Sequence, residues 1–226
     1  MNKLRDEVVL ITGAGKGSGR YLAQAFAERG AIVAANDISP INVEEVVDQI
    51  VAKGGQAKAY IDDIAKKVAA QSLVKQVEED FGRIDILINH AAVQPRVSLL
   101  DMDEWDWHRV LDVNLTGAFL MIQSVGRLMR ASSPGRAQGS GVIINLIAAS
   151  RNELALSRRA ERAEAEVEGA EREAAFVASM RGLDGLTHEA ARELSPYGIR
   201  VYAVKNVAEK VVEDVFALLD LQMEER

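Results

Sequence analysis

Short apolar runs alternate along this chain with longer stretches in which apolar residues return every three or four positions. The first pattern suits a buried strand and the second an amphipathic helix. Val8–Thr12 predicts a strand, and Tyr21–Gly30 a helix that stops at its glycine. Ala31–Asn36 is the second strand, followed by a helix over Ile41–Lys53 that ends at Gly54-Gly55. Ala57–Ile61 is the third strand and Val68–Phe81 the third helix, stopped by Gly82. Ile84–Asn89 is a fourth strand, Met102–Arg130 one or two helices, and Val142–Ile147 a fifth strand. Phe176–Leu194 is helical, Ile199–Val204 a sixth strand, and Val207–Leu221 a closing helix. Strands alternating with helices predict an α/β fold with a parallel sheet covered on both faces. Right-handed crossovers make it doubly wound, in three layers. A ligand then belongs outside the carboxyl ends of the strands. The chain is expected to form one domain over residues 1–226.

One segment breaks the alternation. Arg151–Ala175 is dense in Ala, Glu and Arg, all good helix formers, with a single glycine at Gly169. Arg162–Glu166 and Glu168–Arg172 are spaced for i,i+4 ion pairs, each worth about a few tenths of a kcal/mol. Ala160, Ala163, Val167, Ala170, Ala174 and Val177 recur three and four apart. Two readings of this insertion stand: a solvated helical extension, or a close-packed helix contact with another subunit.

Bulk composition narrows the function. At 226 residues the chain can bury a sizeable core, and its 48% hydrophobic and 27% charged content is ordinary for a globular protein. A net charge of −7 argues against a nucleic-acid surface. The absence of cysteine excludes disulfides, thiolate metal sites and a Cys nucleophile. Met1–Glu7 is charged and lacks the apolar core of a signal peptide, and no apolar run approaches the ~18 residues that span a bilayer. The expectation is a cytoplasmic protein without membrane partners.

Chemistry enters at Thr12-Gly13-Ala14-Gly15-Lys16-Gly17-Ser18-Gly19-Arg20, between the first strand and the first helix. Four glycines in seven residues let the backbone approach an anion, and the helix start offers N–H groups and a positive dipole end. Ser18 breaks the spacing G-x-G-x-x-G, but Thr12, Gly13, Gly17 and Gly19 match T-G-x-x-x-G-x-G. In this, and over most of its length, the chain resembles the short-chain dehydrogenases/reductases, which have a Rossmann-like fold.

The resemblance implies a dinucleotide cofactor, with Gly13, Lys16, Gly17, Ser18 and Gly19 at its phosphates. Ser18 stands where the family usually has a large aliphatic residue. Asp37 ends the second strand, where a carboxylate accepts ribose hydroxyls and repels a 2′-phosphate, so NAD is expected over NADP. The plainer reading of Asp37 is a turn residue before Ser39-Pro40. Asp63, with Ile64 beside it, falls where the family meets the adenine. Asp62 competes for that role, and a helix N-cap is the structural alternative for the pair. Asn89-His90-Ala91-Ala92 resembles Asn-Asn-Ala-Gly, whose first and third residues correspond to Asn89 and Ala91 beside the cofactor ribose; His90 and Ala92 depart from it. Asn114 matches the Asn that bends a helix and positions a water in a proton relay.

At the reacting end the resemblance fails. The family uses Ser, Tyr and Lys, the last two one helical turn apart. Gly182–Thr187 and Glu193–Val201 resemble the stretch after that pair, and counting back places Phe176 at the Tyr and Met180 at the Lys. Phe lacks the hydroxyl and Met lacks the charge. Ala148 occupies the Ser position; a shifted alignment would supply Ser150 instead. Ala203–Val207 replaces the expected Pro-Gly, and Ala208–Val215 already resembles a late helix, so the resemblance implies a shortened C-terminal region without lid or final strand.

Nothing else in the chain supplies the lost chemistry. His90, His108 and His188 share no ligand spacing and read as packing or surface residues, and no metal site is expected. Trp105 and Trp107 read as core or interface aromatics, and the acids from Asp101 to Asp106 as a solvated helix start. The leading expectation is a dinucleotide-binding protein without ordinary oxidoreductase activity, in a scaffold, regulatory or subunit role. The alternatives are an active NAD-dependent oxidoreductase using Ser150, Glu153 or Arg158, and a structural subunit that binds no nucleotide. The resemblance also implies a homo-oligomer, through the helices that carry Asn114 and Phe176.

Overall fold

The computed structural model describes residues 4–131, 141–148, 173–206 and 210–224. Ser150, Glu153, Arg158 and the insertion up to residue 172 lie outside the described residues. Strands β1 (Val8–Thr12), β2 (Ile32–Asp37), β3 (Gln56–Ile61), β4 (Ile86–Asn89), β5 (Gly141–Ala148) and β6 (Ile199–Asn206) form one parallel sheet in the order β3-β2-β1-β4-β5-β6. The order reverses direction between β1 and β4, which makes the crevice at their carboxyl ends the natural ligand position of a doubly wound sheet.

The helices are α1 (Gly17–Glu28), α2 (Pro40–Ala52), α3 (Lys67–Phe81), α4 (Glu104–Leu111), α5 (Ala118–Ala131), α6 (Ala174–Leu194) and α7 (Val211–Glu224). All five residues of β1 are buried, as expected of a central strand covered on both faces. Its alternation assigns the layers. Val9 and Ile11 pack with Phe26 of α1, Val46 of α2 and Phe216 of α7. Val8 and Leu10 pack with Leu73 of α3, Met121 of α5 and Ala190 of α6. No described helix is long and apolar enough to cross a membrane.

Several boundaries differ from the pattern-based expectation, each for a local reason. Helix α1 begins at Gly17, ahead of Tyr21, because the last glycines of the loop form its first turn. Strand β4 begins at Ile86 because Asp85 is taken up by a polar network: its carboxylate accepts the Val8 N–H at 2.8 Å and Arg83 Nε–H at 2.6 Å. Strand β6 runs past Val204 to Asn206, which pairs with Ala148, and α7 starts only at Val211. The Met102–Arg130 stretch divides into α4, a π-helical segment over Asp112–Gly117, and α5. Trp105 is 66% exposed, with the Arg109 guanidinium 5.3 Å from its ring, so it is not a core aromatic. Neither Asp62 nor Asp63 caps a helix: the N-cap of α3 is Lys66.

Candidate functional site

Thr12 closes β1 and joins it to β4. Its hydroxyl donates to the Ile88 carbonyl at 3.4 Å and accepts the N–H groups of His90 and Ala91 at 3.1 and 3.2 Å. The glycine loop is pinned on its other side to β2. Ala14 N–H donates to the Asn36 carbonyl at 2.8 Å, and Gly15 N–H to Asp37 Oδ2 at 3.0 Å.

Each glycine answers to a different need. Gly13 and Gly17 have φ of +66° and +58°, a left-handed backbone that favours glycine. A Cβ on Gly13 would also lie 2.8 Å from the Ala91 Cα. A Cβ on Gly19 would lie 2.3 Å from the Gly13 carbonyl oxygen, so helix and loop touch backbone to backbone. Lys16 is the exposed N-cap of α1, whose first turn carries no acidic residue. Such a turn presents N–H groups that no preceding turn accepts, at the positive end of the helix dipole.

The other residues expected from the sequence lie at or just past the carboxyl ends of β2, β3 and β4. Asp37 is 7% exposed, and its second oxygen accepts the Ser39 N–H at 3.0 Å. The turn reading and the site reading of Asp37 are therefore compatible, since a carboxylate has acceptor capacity beyond two bonds. Asp63 is exposed and accepts the Ala65 N–H at 3.0 Å in an Asx turn. Asp62 is half-buried, and that burial holds its carboxyl above the usual range. The Ile64 side chain is core, in contact range of Gly117, so it can offer a ligand only its backbone. Asn89 donates to Asn145 Oδ1 at 2.8 Å, and Asn145 donates to Thr187 Oγ1 of α6 at 2.9 Å. The Asn89 Oδ1 is buried without a hydrogen-bond donor among the described residues.

By sequence His90 reads as a packing or surface residue. The structure places its ring against the glycine loop. The Gly13 carbonyl can only accept, so His90 Nδ1–H donates to it at 3.1 Å. Nε2 then accepts from the Ser18 hydroxyl at 2.9 Å. Burial lowers the His90 pKa below the usual histidine value, against the opposing effects of the Gly13 and Thr12 backbone and the Asp37 carboxylate. Ser18 and His90 were each visible as a departure from the pattern; that they touch was not.

The start of α6 carries the positions that the resemblance sets at the reacting end. Phe176 and Met180 are one turn apart at the start of α6 and each 4% exposed. Asn114 sits in the π-helical segment with its amide committed. It accepts Val93 N–H at 2.8 Å and donates to the Val93 carbonyl and to Ser179 Oγ, both at 3.0 Å. Ser179 in turn donates to the Phe176 carbonyl at 2.7 Å. Glu173, which the sequence did not single out, is buried just before α6 and accepts Gln94 Nε2–H at 2.5 Å.

This architecture can be compared with known proteins. Residues 7–155 match the profile of the short chain dehydrogenase family. The chain belongs to the short-chain dehydrogenase family. An uncharacterized oxidoreductase of Thermotoga maritima is 38% identical over 198 residues, covering 88% of this chain and 70% of that protein. Among solved structures, an NAD+-bound xylitol dehydrogenase superimposes with a TM-score of 0.75 at 31% identity, over 90% of this chain and 70% of its own. A metagenomic short-chain oxidoreductase in complex with NADP gives a TM-score of 0.79 at 28% identity, over 96% and 91%. Within this short-chain dehydrogenase fold the glycine loop and the start of α6 differ in kind. The loop brings together glycines, backbone N–H groups, the Ser18–His90 pair and the buried Asp37 carboxylate. At the start of α6, Phe176 and Met180 are two buried apolar side chains one turn apart.

Proposed function

We propose that this short-chain dehydrogenase relative binds a nicotinamide dinucleotide by its adenosine and pyrophosphate half and does not run ordinary alcohol–ketone chemistry. It acts instead as a binding, regulatory or scaffold subunit, as one nucleotide-binding domain. Gly13, Lys16, Gly17, Ser18 and Gly19 would hold the pyrophosphate, Asp37 the adenosine ribose, and Asp63 with the Ile64 backbone the adenine. Asn89 and Ala91 would face the second ribose, and Asn114 is the remnant of the relay. A bound nicotinamide would supply hydride transfer, but the chain must move the proton. The observation that carries the reading is the pair Phe176 and Met180, buried where Tyr and Lys are expected. General acid–base catalysis is worth about 10²–10⁴-fold, and members of one catalytic unit fail together.

Asp37 supports NAD over NADP. Its carboxylate is held in place by Gly15 N–H and Ser39 N–H, and a 2′-phosphate would be repelled by it. A homo-oligomer through α5 and α6 also belongs to the proposal. Between these helices runs a groove of about 300 Å³, lined by Phe119, Ile122, Gly126, Leu186, Leu194 and Tyr197 among others.

Calorimetry with ADP-ribose, NAD and NADP, beside an NADH assay on a panel of aldehydes and ketones, tests the reading. ADP-ribose and NAD should bind with similar affinity, NADP more weakly, and turnover should match a heat-killed control. Turnover above that control overturns the loss of chemistry; no nucleotide binding overturns the site. An active enzyme with a rearranged site is the second reading, favoured by the relative described as an oxidoreductase. It requires a measurable activity that Ser150→Ala removes.

A further inference from the structure

Two departures from the family pattern, 72 residues apart in sequence, meet in space. Ser18 replaces an aliphatic residue in the loop, and His90 replaces the second Asn after β4. Their side chains are hydrogen-bonded at 2.9 Å. The contact exists because β1 and β4 are neighbours in the sheet, so the residues just past their carboxyl ends share the crevice. The ring lies beside the close approach of Gly13 and Gly19: a Cβ on Gly19 would come within 2.6 Å of His90 Nδ1. With Nδ1–H on the Gly13 carbonyl and Nε2 accepting from Ser18, one neutral imidazole ties the start of the loop to the first turn of α1. Those are the two backbone segments that the proposed pyrophosphate would rest on.

We propose that His90 is a positioning residue for the dinucleotide, which shapes the pyrophosphate loop through Gly13 and Ser18 and takes up a proton when the pyrophosphate binds. The inference rests on the dinucleotide reading above. Its physical basis is a competition. Without ligand, burial favours the neutral ring. A pyrophosphate on the loop adds negative charge beside it and favours the imidazolium, whose Nε2–H would then donate to a turned Ser18 hydroxyl. The charged groups of the surrounding elements do not supply that compensation. From β2, Asp37 favours the cation but is outweighed by burial. Lys16 on the loop is exposed, and Arg20 of α1 is paired to Glu45 at 2.8 Å. The segment after His90 brings Ala91 and Ala92, which carry no charge.

The test is ADP-ribose titration of the wild type and of His90→Asn from pH 8 to pH 6, with the imidazole resonances followed by NMR. Asn keeps a donor for the Gly13 carbonyl and removes the titration. The wild type should bind about three- to tenfold more tightly at pH 6 than at pH 8, and His90→Asn should lack that dependence. In the wild type, ADP-ribose should raise the titration midpoint of His90. Binding with the same pH dependence in both proteins, or a His90 midpoint unmoved by bound ADP-ribose, overturns the inference and leaves the dinucleotide reading intact. No binding by either protein at any pH overturns that reading, and the inference with it.

Discussion

Gly19→Ala tests whether the loop is packed as described. The new Cβ would lie 2.3 Å from the Gly13 carbonyl oxygen and 2.6 Å from His90 Nδ1. Heavy atoms normally settle at about 3.5 Å, so the overlap exceeds an ångström. The nearest obstacle is backbone and cannot rotate away. Relief requires the loop to lift from α1, which breaks the 3.1 Å bond between His90 and Gly13. Overpacking costs roughly 1–3 kcal/mol and the lost hydrogen bond roughly 0.5–1.5 kcal/mol. Alanine recovers up to about 1 kcal/mol of helix propensity. The net expectation is roughly 1–3 kcal/mol of destabilisation, with ADP-ribose affinity reduced at least about tenfold, 1.4 kcal/mol being a factor of ten. Gly185→Ala is the matched control. It lies within α6 with nothing inside 4 Å of its would-be Cβ, so the same change should stabilise by about 0.5–1 kcal/mol. Urea denaturation of both variants reads the sign directly, and each kcal/mol should move the melting temperature by about 2–4 °C. A Gly19→Ala protein as stable as wild type, binding ADP-ribose equally, would refute the packing of the loop against Gly13 and His90.

Three further outcomes follow from the same geometry. Asp37→Asn should weaken NAD and narrow or reverse its advantage over NADP, read by calorimetry with both; an unchanged ratio removes Asp37 from the site. Asn114→Ala strips both Val93 backbone groups of their partner and should cost roughly 1–3 kcal/mol in urea denaturation, more than an exposed Asn would. For the ligand-free protein, a lowered His90 pKa means that the unfolded chain takes up the proton first as the pH falls below about 6.5. Stability should therefore drop from that point until the folded pKa is reached, by at most about 1.4 kcal/mol per pH unit. His90→Asn should lack that component in denaturation curves between pH 8 and 5, and a slope shared by both proteins assigns it elsewhere.

Much of the architecture is legible in the residue pattern because it is local. Val8–Thr12 is a strand with the predicted bounds, and Gly82 stops α3 with a φ of +74°. Less legible was the middle of the chain. Periodicity leaves Met102–Arg130 as one or two helices; the division comes at a π-helical turn whose Asn114 side chain reaches back to Val93. Trp105 illustrates the converse: its hydrophobicity suits a core or an interface, and its place at the start of α4 removes the core reading.

The site divides along the same line. Residues whose role depends on their own backbone, such as Gly13 and Gly17 with positive φ, declare themselves in the sequence, because only glycine adopts that conformation cheaply. So does Asp37, whose place at the end of β2 follows from counting along a strand. What only the tertiary structure decided is who stands opposite them. The sheet sets β4 beside β1, with β2 on the other side, and so brings His90 onto Gly13 and Ser18. Periodicity along a chain specifies which face a side chain presents. The partner on that face is chosen by strand order, which is a property of the folded sheet as a whole.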